Sequence, residues 1–113
     1  MWGDGKQTRS FLYIDDCVNG ILKLMNSDFD SPINIGSDYL VDMNSLAKIA
    51  IELSGKEIDI IYDLDKPQGV RGRNADLTLV KKELEWKPEI SLEEGMRRTY
   101  EWAIENYSKL ENI

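Results

Sequence analysis

The 113-residue sequence predicts an α/β fold of about four helices and three short strands. Apolar residues recur at helical spacing in four separate windows, and short branched or aromatic runs stand between the windows. Glycine, proline or a cluster of Asn, Asp and Ser marks the junctions. Helical and strand patterns alternating along one chain make a layered α/β arrangement, with each element burying one face against another.

The chain opens on a turn, because Gly3-Asp4-Gly5 supplies two residues that accept positive φ. Ser10 to Ile14, short, aromatic and branched, reads as the first strand. Asp15 and Asp16 then place acidic side chains where a helix N-terminus favours negative charge. From Asp16, residues Val18, Ile21, Leu22 and Met25 fall on one face of a helix. Gly20 costs that helix about 1 kcal/mol relative to alanine, so it implies close packing against a neighbour. Cys17 on the same helix reads as a buried, inert thiol.

Asn26-Ser27-Asp28 breaks the first helix, and Pro32 opens a second strand, Ile33 to Ile35. Alternation points Asn34 away from the side that the two isoleucines face, toward a ligand or a loop. Asp42 caps a second helix carrying Leu46, Ile49, Ala50 and Leu53, which Gly55 ends. Glu57 to Tyr62 is the third expected strand, and Asp63 to Gly69 a polar loop. Asp76 then caps a short helix with Leu77, Val80 and Leu84 inward, closed by Trp86 and Pro88. Ser91-Leu92-Glu93-Glu94 is a capping box opening the last helix, whose stripe of Met96, Tyr100, Ala103, Tyr107 and Leu110 reads as core.

Composition narrows the function classes. A formal charge of -7 argues against general affinity for nucleic acid, and no apolar run approaches the roughly 20 residues a membrane helix needs. With neither a basic n-region nor an apolar h-region after Met1, a soluble cytoplasmic setting is expected. One cysteine excludes an intrachain disulfide, and the absence of histidine removes the commonest general base and transition-metal ligand. No calcium-loop pattern appears either, so no metal is expected.

Three of the five arginines stand at two glycine-marked places. Gln7, Thr8 and Arg9 follow the glycine turn, where the arginine fork can meet phosphate oxygens and its two neighbours can add neutral hydrogen bonds. The plainer reading pairs Arg9 with a local acid. The second place is Gly69-Val-Arg-Gly-Arg-Asn-Ala-Asp76, in which glycines allow close backbone approach while Arg71 and Arg73 carry permanent charge. Trp2 could stack on a base or plug the core.

Trp2 to Asp16, Pro32-Ile-Asn-Ile-Gly-Ser37 and Gly69 to Asp76, in that order, resemble the C-terminal lobe of the extended short-chain dehydrogenase/reductases. These are NAD-dependent nucleotide-sugar epimerases and dehydratases, and the likeness is greatest to the subgroup that epimerises GDP-mannose. The resemblance covers essentially the whole chain. It implies that residues 1–113 form a single partial domain, a substrate-binding lobe without the Rossmann half that binds NAD. It also implies a GDP-sugar or other nucleotide-sugar as ligand, with Arg73 and Arg9 on the diphosphate and Asn34, Gln7 and Thr8 hydrogen-bonding it or the sugar. Where the family often reads Arg-Pro-Gly-Asp, this chain reads Arg73-Asn74-Ala75-Asp76.

No catalytic residue is expected here. Tyr62 and Lys66 spell the family's YxxxK pair, but they cross from a strand into a loop, whereas the pair needs a helical turn. Gly3-Asp4-Gly5 begins like a dinucleotide fingerprint but lacks a preceding strand and the third small residue. The chain is therefore expected to be inactive alone, and unpaired strand edges suggest a homo-oligomer. The rival reading is an autonomous acidic module that binds a protein through an exposed strand edge, without nucleotide.

Overall fold

The computed structural model describes residues 1–110, except the side chains of Ser108 and Leu110. It contains four helices and three strands of two residues each. The strands are β1 (Thr8–Arg9), β2 (Val41–Asp42) and β3 (Gly72–Arg73). They form one sheet in the order β2-β1-β3, with β1 antiparallel to β2 and parallel to β3. Class and element count match the expectation; the strand positions do not.

None of the three expected strands is a strand. Residues 10–13 join no ladder, and Ile14 already opens α1 (Ile14–Met25). The stretch Ile33 to Ile35 is also unpaired, although its alternation is as expected: both isoleucines pack on the core while Asn34 is exposed. Glu57 to Tyr62 joins no ladder either; the residue after it, Asp63, forms an isolated parallel bridge with Trp2. Branched residues show where a chain favours extended backbone, whereas a ladder also needs a partner at the right distance, and Ile58 and Ile61 are exposed.

The helices follow their local signals. α2 (Met43–Ser54) is capped by Asp42, whose carboxylate accepts from the Ser45 N–H at 2.7 Å, and ends at Gly55 with φ 63°. Leu46, Ile49, Ala50 and Leu53 are half-buried, and α2 packs against α4 (Leu92–Leu110). In α3 (Thr78–Leu84), Asp76 lies one residue before the cap position and accepts from the Thr78 N–H at 2.9 Å. The core is built around Leu77, Val80, Leu84 and Trp86, with Leu12, Leu24, Phe29, Ile33, Ile35 and Ala75 packed against it.

Two inward residues of α1 are not apolar. Asp16 is buried and its Oδ2 accepts from the backbone N–H groups of Glu89 and Ile90, at 3.1 and 2.9 Å. Gly20 is buried as well, and a Cβ there would stand 2.8 Å from Ile35 Cγ2 and 3.0 Å from Trp86 Cε2. The close packing expected of this glycine is present. The apolar stripe Val18, Ile21, Leu22 and Met25 is on a helix face, as expected, but it is 45–73% exposed. Cys17 is half-exposed instead of buried, since it lies on the helix flank between buried Asp16 and exposed Val18.

Only half of the expected capping box forms. Ser91 Oγ accepts from the Glu94 N–H at 3.2 Å, while the Glu94 carboxylate turns to Arg97 and Arg98 at 2.8 and 2.6 Å. Of the α4 stripe, Met96, Tyr100 and Ala103 are half-buried, Tyr107 is exposed, and the Leu110 side chain lies outside the described residues. The two guanidinium groups hold the Glu94 carboxyl at about 2, below its ordinary 4.5. A folded-state value below the unfolded one stabilises above about pH 4.5 and is lost as pH falls toward 2. Glu94→Gln is therefore expected to flatten the stability curve across that window, by a small amount because the pair is exposed to water. Urea melts at stepped pH would show it, and a variant curve running parallel to the parent there would refute it.

Candidate functional site

The site begins with the pairing of β1 and β3. Their parallel register sets Arg9 opposite Arg73, and in-register neighbours project from the same face of a sheet. Two arginines 64 positions apart in sequence, Arg9 and Arg73, are thereby brought side by side. Together with Ser10, Ile33, Asn34, Ile35, Asn74 and Ala75 they line a cavity of about 500 Å³.

The charge state of this cavity depends on where the local acids go. Among the described residues neither Arg9 nor Arg73 forms an ion pair, so the plainer reading of Arg9 is not the one observed. Arg9 Nη1 donates to its neighbour's carbonyl, Thr8 O, at 2.7 Å, which leaves most of its five donors for another acceptor. Gly69, with φ 70°, passes close to it: a Cβ there would stand 3.5 Å from Arg9 Nη2. Arg71 is held elsewhere, with its guanidinium on the Asp4 carboxylate at 3.2 and 3.3 Å and on Gln68 Oε1 at 3.2 Å. The Lys6 backbone N–H and then Arg71 keep the Asp4 carboxyl below its usual range. Of the two arginines in the second motif, Arg73 faces the cavity and Arg71 is neutralised.

Three of the expected site residues come together here: Arg9, Asn34 and Arg73. Asn34 is exposed and its Nδ2 donates to Asp76 O at 3.4 Å, a long bond that leaves its carbonyl oxygen available. Gln7, Thr8 and Trp2 are not in this lining. Thr8 Oγ1 is directed to Arg71 O at 3.5 Å, as alternation with Arg9 along β1 requires. Gln7 is half-buried, and its Oε1 is covered without a hydrogen-bond partner among the described residues. Trp2 is 62% exposed, so it does not plug the core. Sequence reasoning gave Asn74 and Ala75 no site role, although their place beside Arg73 was a signal.

The described residues that line the cavity include no thiol, phenol or carboxylate. The Gly3-Asp4-Gly5 turn leads into β1 and not onto a helix N-terminus, so these residues do not fit a dinucleotide cradle. Tyr62 and Lys66 lie outside any helix, and the Tyr62 hydroxyl donates to Asn44 Oδ1 at 2.8 Å. What the arrangement can do is hold an anion with two phosphate-sized charges between two guanidinium forks.

A family model described as GDP-mannose 4,6 dehydratase matches residues 1–99. The chain belongs to the GDP-mannose 4,6 dehydratase family. That places it among the nucleotide-sugar epimerases and dehydratases of the extended short-chain dehydrogenase/reductases, as its motifs suggested. GDP-mannose 3,5-epimerase 1 of Oryza sativa subsp. indica is 50% identical to this family member over 109 residues, 96% of this chain and 29% of that protein. GDP-mannose 3,5-epimerase of Arabidopsis thaliana is likewise 50% identical, over the same shares of the two chains. The crystal structure of UDP-glucose 4-epimerase with UDP-glucose from Thermotoga maritima superposes with a TM-score of 0.88 at 32% identity. That superposition takes in 95% of this chain and 35% of the epimerase. The chain thus spans about a third of the length of the proteins it matches. Among its described residues, no helix is long and apolar enough to cross a membrane.

Proposed function

We propose that this chain is the substrate-holding part of an NAD-dependent nucleotide-sugar epimerase of the GDP-mannose 3,5-epimerase kind, and that it binds the diphosphate and sugar of a GDP-sugar. The observation that carries this reading is the pairing of Arg9 with Arg73 in one cavity, both without an acidic partner among the described residues. On a body of charge -7, two uncompensated guanidinium groups in one cavity make a local anion site. Asn34, on the rim of the same cavity, presents an amide to a sugar hydroxyl. NAD, whose nicotinamide supplies the hydride chemistry of such enzymes, has no cradle among these residues. This chain's part in the reaction is to bind and orient the substrate, and it is inactive alone.

Calorimetric titration of the chain with GDP-mannose, GDP and mannose tests the reading. Binding of the first two and none of mannose is expected, because the diphosphate carries the affinity. Equal affinity for all three, or none for any, would overturn it.

A protein contact also has an observation in its favour. Ile14, Val18, Ile21, Leu22 and Met25 expose one apolar face of α1, continuous at Ile14 with an apolar groove of about 310 Å³ that Phe11, Tyr13 and Met96 also line. Contiguous apolar surface of this kind drives association. The isolated chain is expected to self-associate through it, and Ile21→Lys to shift sedimentation toward the monomer. A parent chain that is strictly monomeric at high concentration would refute the contact.

A further inference from the structure

Arg73 itself sits on thin support. β3 has two residues, both exposed, and it pairs with β1 alone. A strand that short does not fix a long side chain, so whatever holds the segment following Arg73 decides where its guanidinium points. That segment is tied to the Gly36 to Asp38 turn. The Ala75 N–H donates to Ser37 O at 3.1 Å, and Asn74 Nδ2 donates to Asp38 O, also at 3.1 Å. A Cβ on Gly36 would stand 2.8 Å from Ala75 Cβ, so the two backbones are in close contact.

The turn on the other side of these bonds is anchored. Ser37 is 7% exposed and its Oγ accepts from the Tyr39 N–H at 3.2 Å, while the Asp38 carboxylate pairs with Lys81 of α3 at 3.4 Å. Beyond Ala75, Leu77 is buried in the core. Between β3 and that buried residue, the Asn74 amide is the side-chain tie nearest to Arg73. One of its two N–H donors is spent on the Asp38 carbonyl at 3.1 Å, a shorter bond than the 3.4 Å one of Asn34, which favours a structural use of this amide.

We propose that Asn74 is a positioning residue: by bonding the Asp38 carbonyl it holds Arg73 alongside Arg9, ready for a diphosphate. The binding part of this inference rests on the proposed function above; the placement of Arg73 does not. Alanine at position 74 removes the tie and lets the segment move. Proline at the same position removes the amide as well but stiffens the backbone, and Arg73, extended in β3, has the conformation that a residue preceding proline adopts.

Amide hydrogen exchange and GDP-mannose titration on the full chain test this together. Asn74→Ala is expected to speed exchange at the Ala75 amide by roughly fivefold and to weaken GDP-mannose by a similar factor, the scale of one neutral hydrogen bond. Asn74→Pro is expected to keep Ala75 protected and the affinity within about twofold of the parent. Unchanged Ala75 exchange in Asn74→Ala would overturn the positioning role. Equal loss of affinity in both variants, with Ala75 protected in the proline form, would overturn it too, since the amide would then be touching the ligand. If the parent fails to bind GDP-mannose while Ala75 exchange responds as described, the positioning of Arg73 stands and the proposed function falls.

Discussion

Arg73→Ala is expected to weaken GDP-mannose binding by about 10- to 100-fold, the equivalent of about 1.5–3 kcal/mol for hydrogen bonds to a charged group. The expectation rests on what surrounds the guanidinium. Arg73 lies in register with Arg9, in a cavity where neither has an acidic partner among the described residues. Removing one fork leaves a diphosphate with half of its charge-assisted contacts. Arg73→Lys should fall between alanine and the parent, because an ammonium keeps the charge and loses the planar fork. Arg71→Ala is the internal control. Its guanidinium is engaged by Asp4 and Gln68, so its loss should leave affinity nearly unchanged. Calorimetry on the three variants reads the outcome directly. Equal weakening by Arg71→Ala and Arg73→Ala would reduce the effect to net charge, and an unaffected Arg73→Ala would remove the assignment.

Much of the fold could be read from the sequence wherever the physics is local. The cap at Asp42, the stop at Gly55 and the inward Leu77, Val80 and Leu84 depend on residues a few positions apart, and all are present. The strands were not legible in this way. Thr8–Arg9 and Gly72–Arg73 carry no branched or aromatic run; they pair because distant turns bring them into register, which a local window cannot show. Exposure was the other gap. Periodicity places Val18, Ile21, Leu22 and Met25 on one face of α1, but it does not say what covers that face. The convergence of Arg9 and Arg73 was expected from charge and from the family likeness together. The neutralisation of Arg71 was not, because Asp4 is 67 residues away along the chain.

The largest loss of stability is expected at Asp16. Both of the hydrogen bonds it accepts converge on one oxygen, Oδ2, from the adjacent amides of Glu89 and Ile90. These amides lie in the segment between buried Trp86 and α4, so the carboxylate ties the first helix to the path into the last. Asp16→Ala leaves two part-buried N–H groups without their acceptor, and the expected cost is about 2–4 kcal/mol. Asp16→Asn can place its carbonyl oxygen where Oδ2 stands and still accept from both amides, so it should lose only the charge-assisted part, about half as much. Asp15 separates this effect from the helix dipole. It lies in the same first turn but is exposed, so Asp15→Ala should cost no more than about 1 kcal/mol. Urea denaturation of the three variants gives the comparison. If Asp16→Ala and Asp15→Ala shift the midpoint equally, the two amide bonds contribute nothing beyond the dipole, and another contact must hold α1 to the entry of α4.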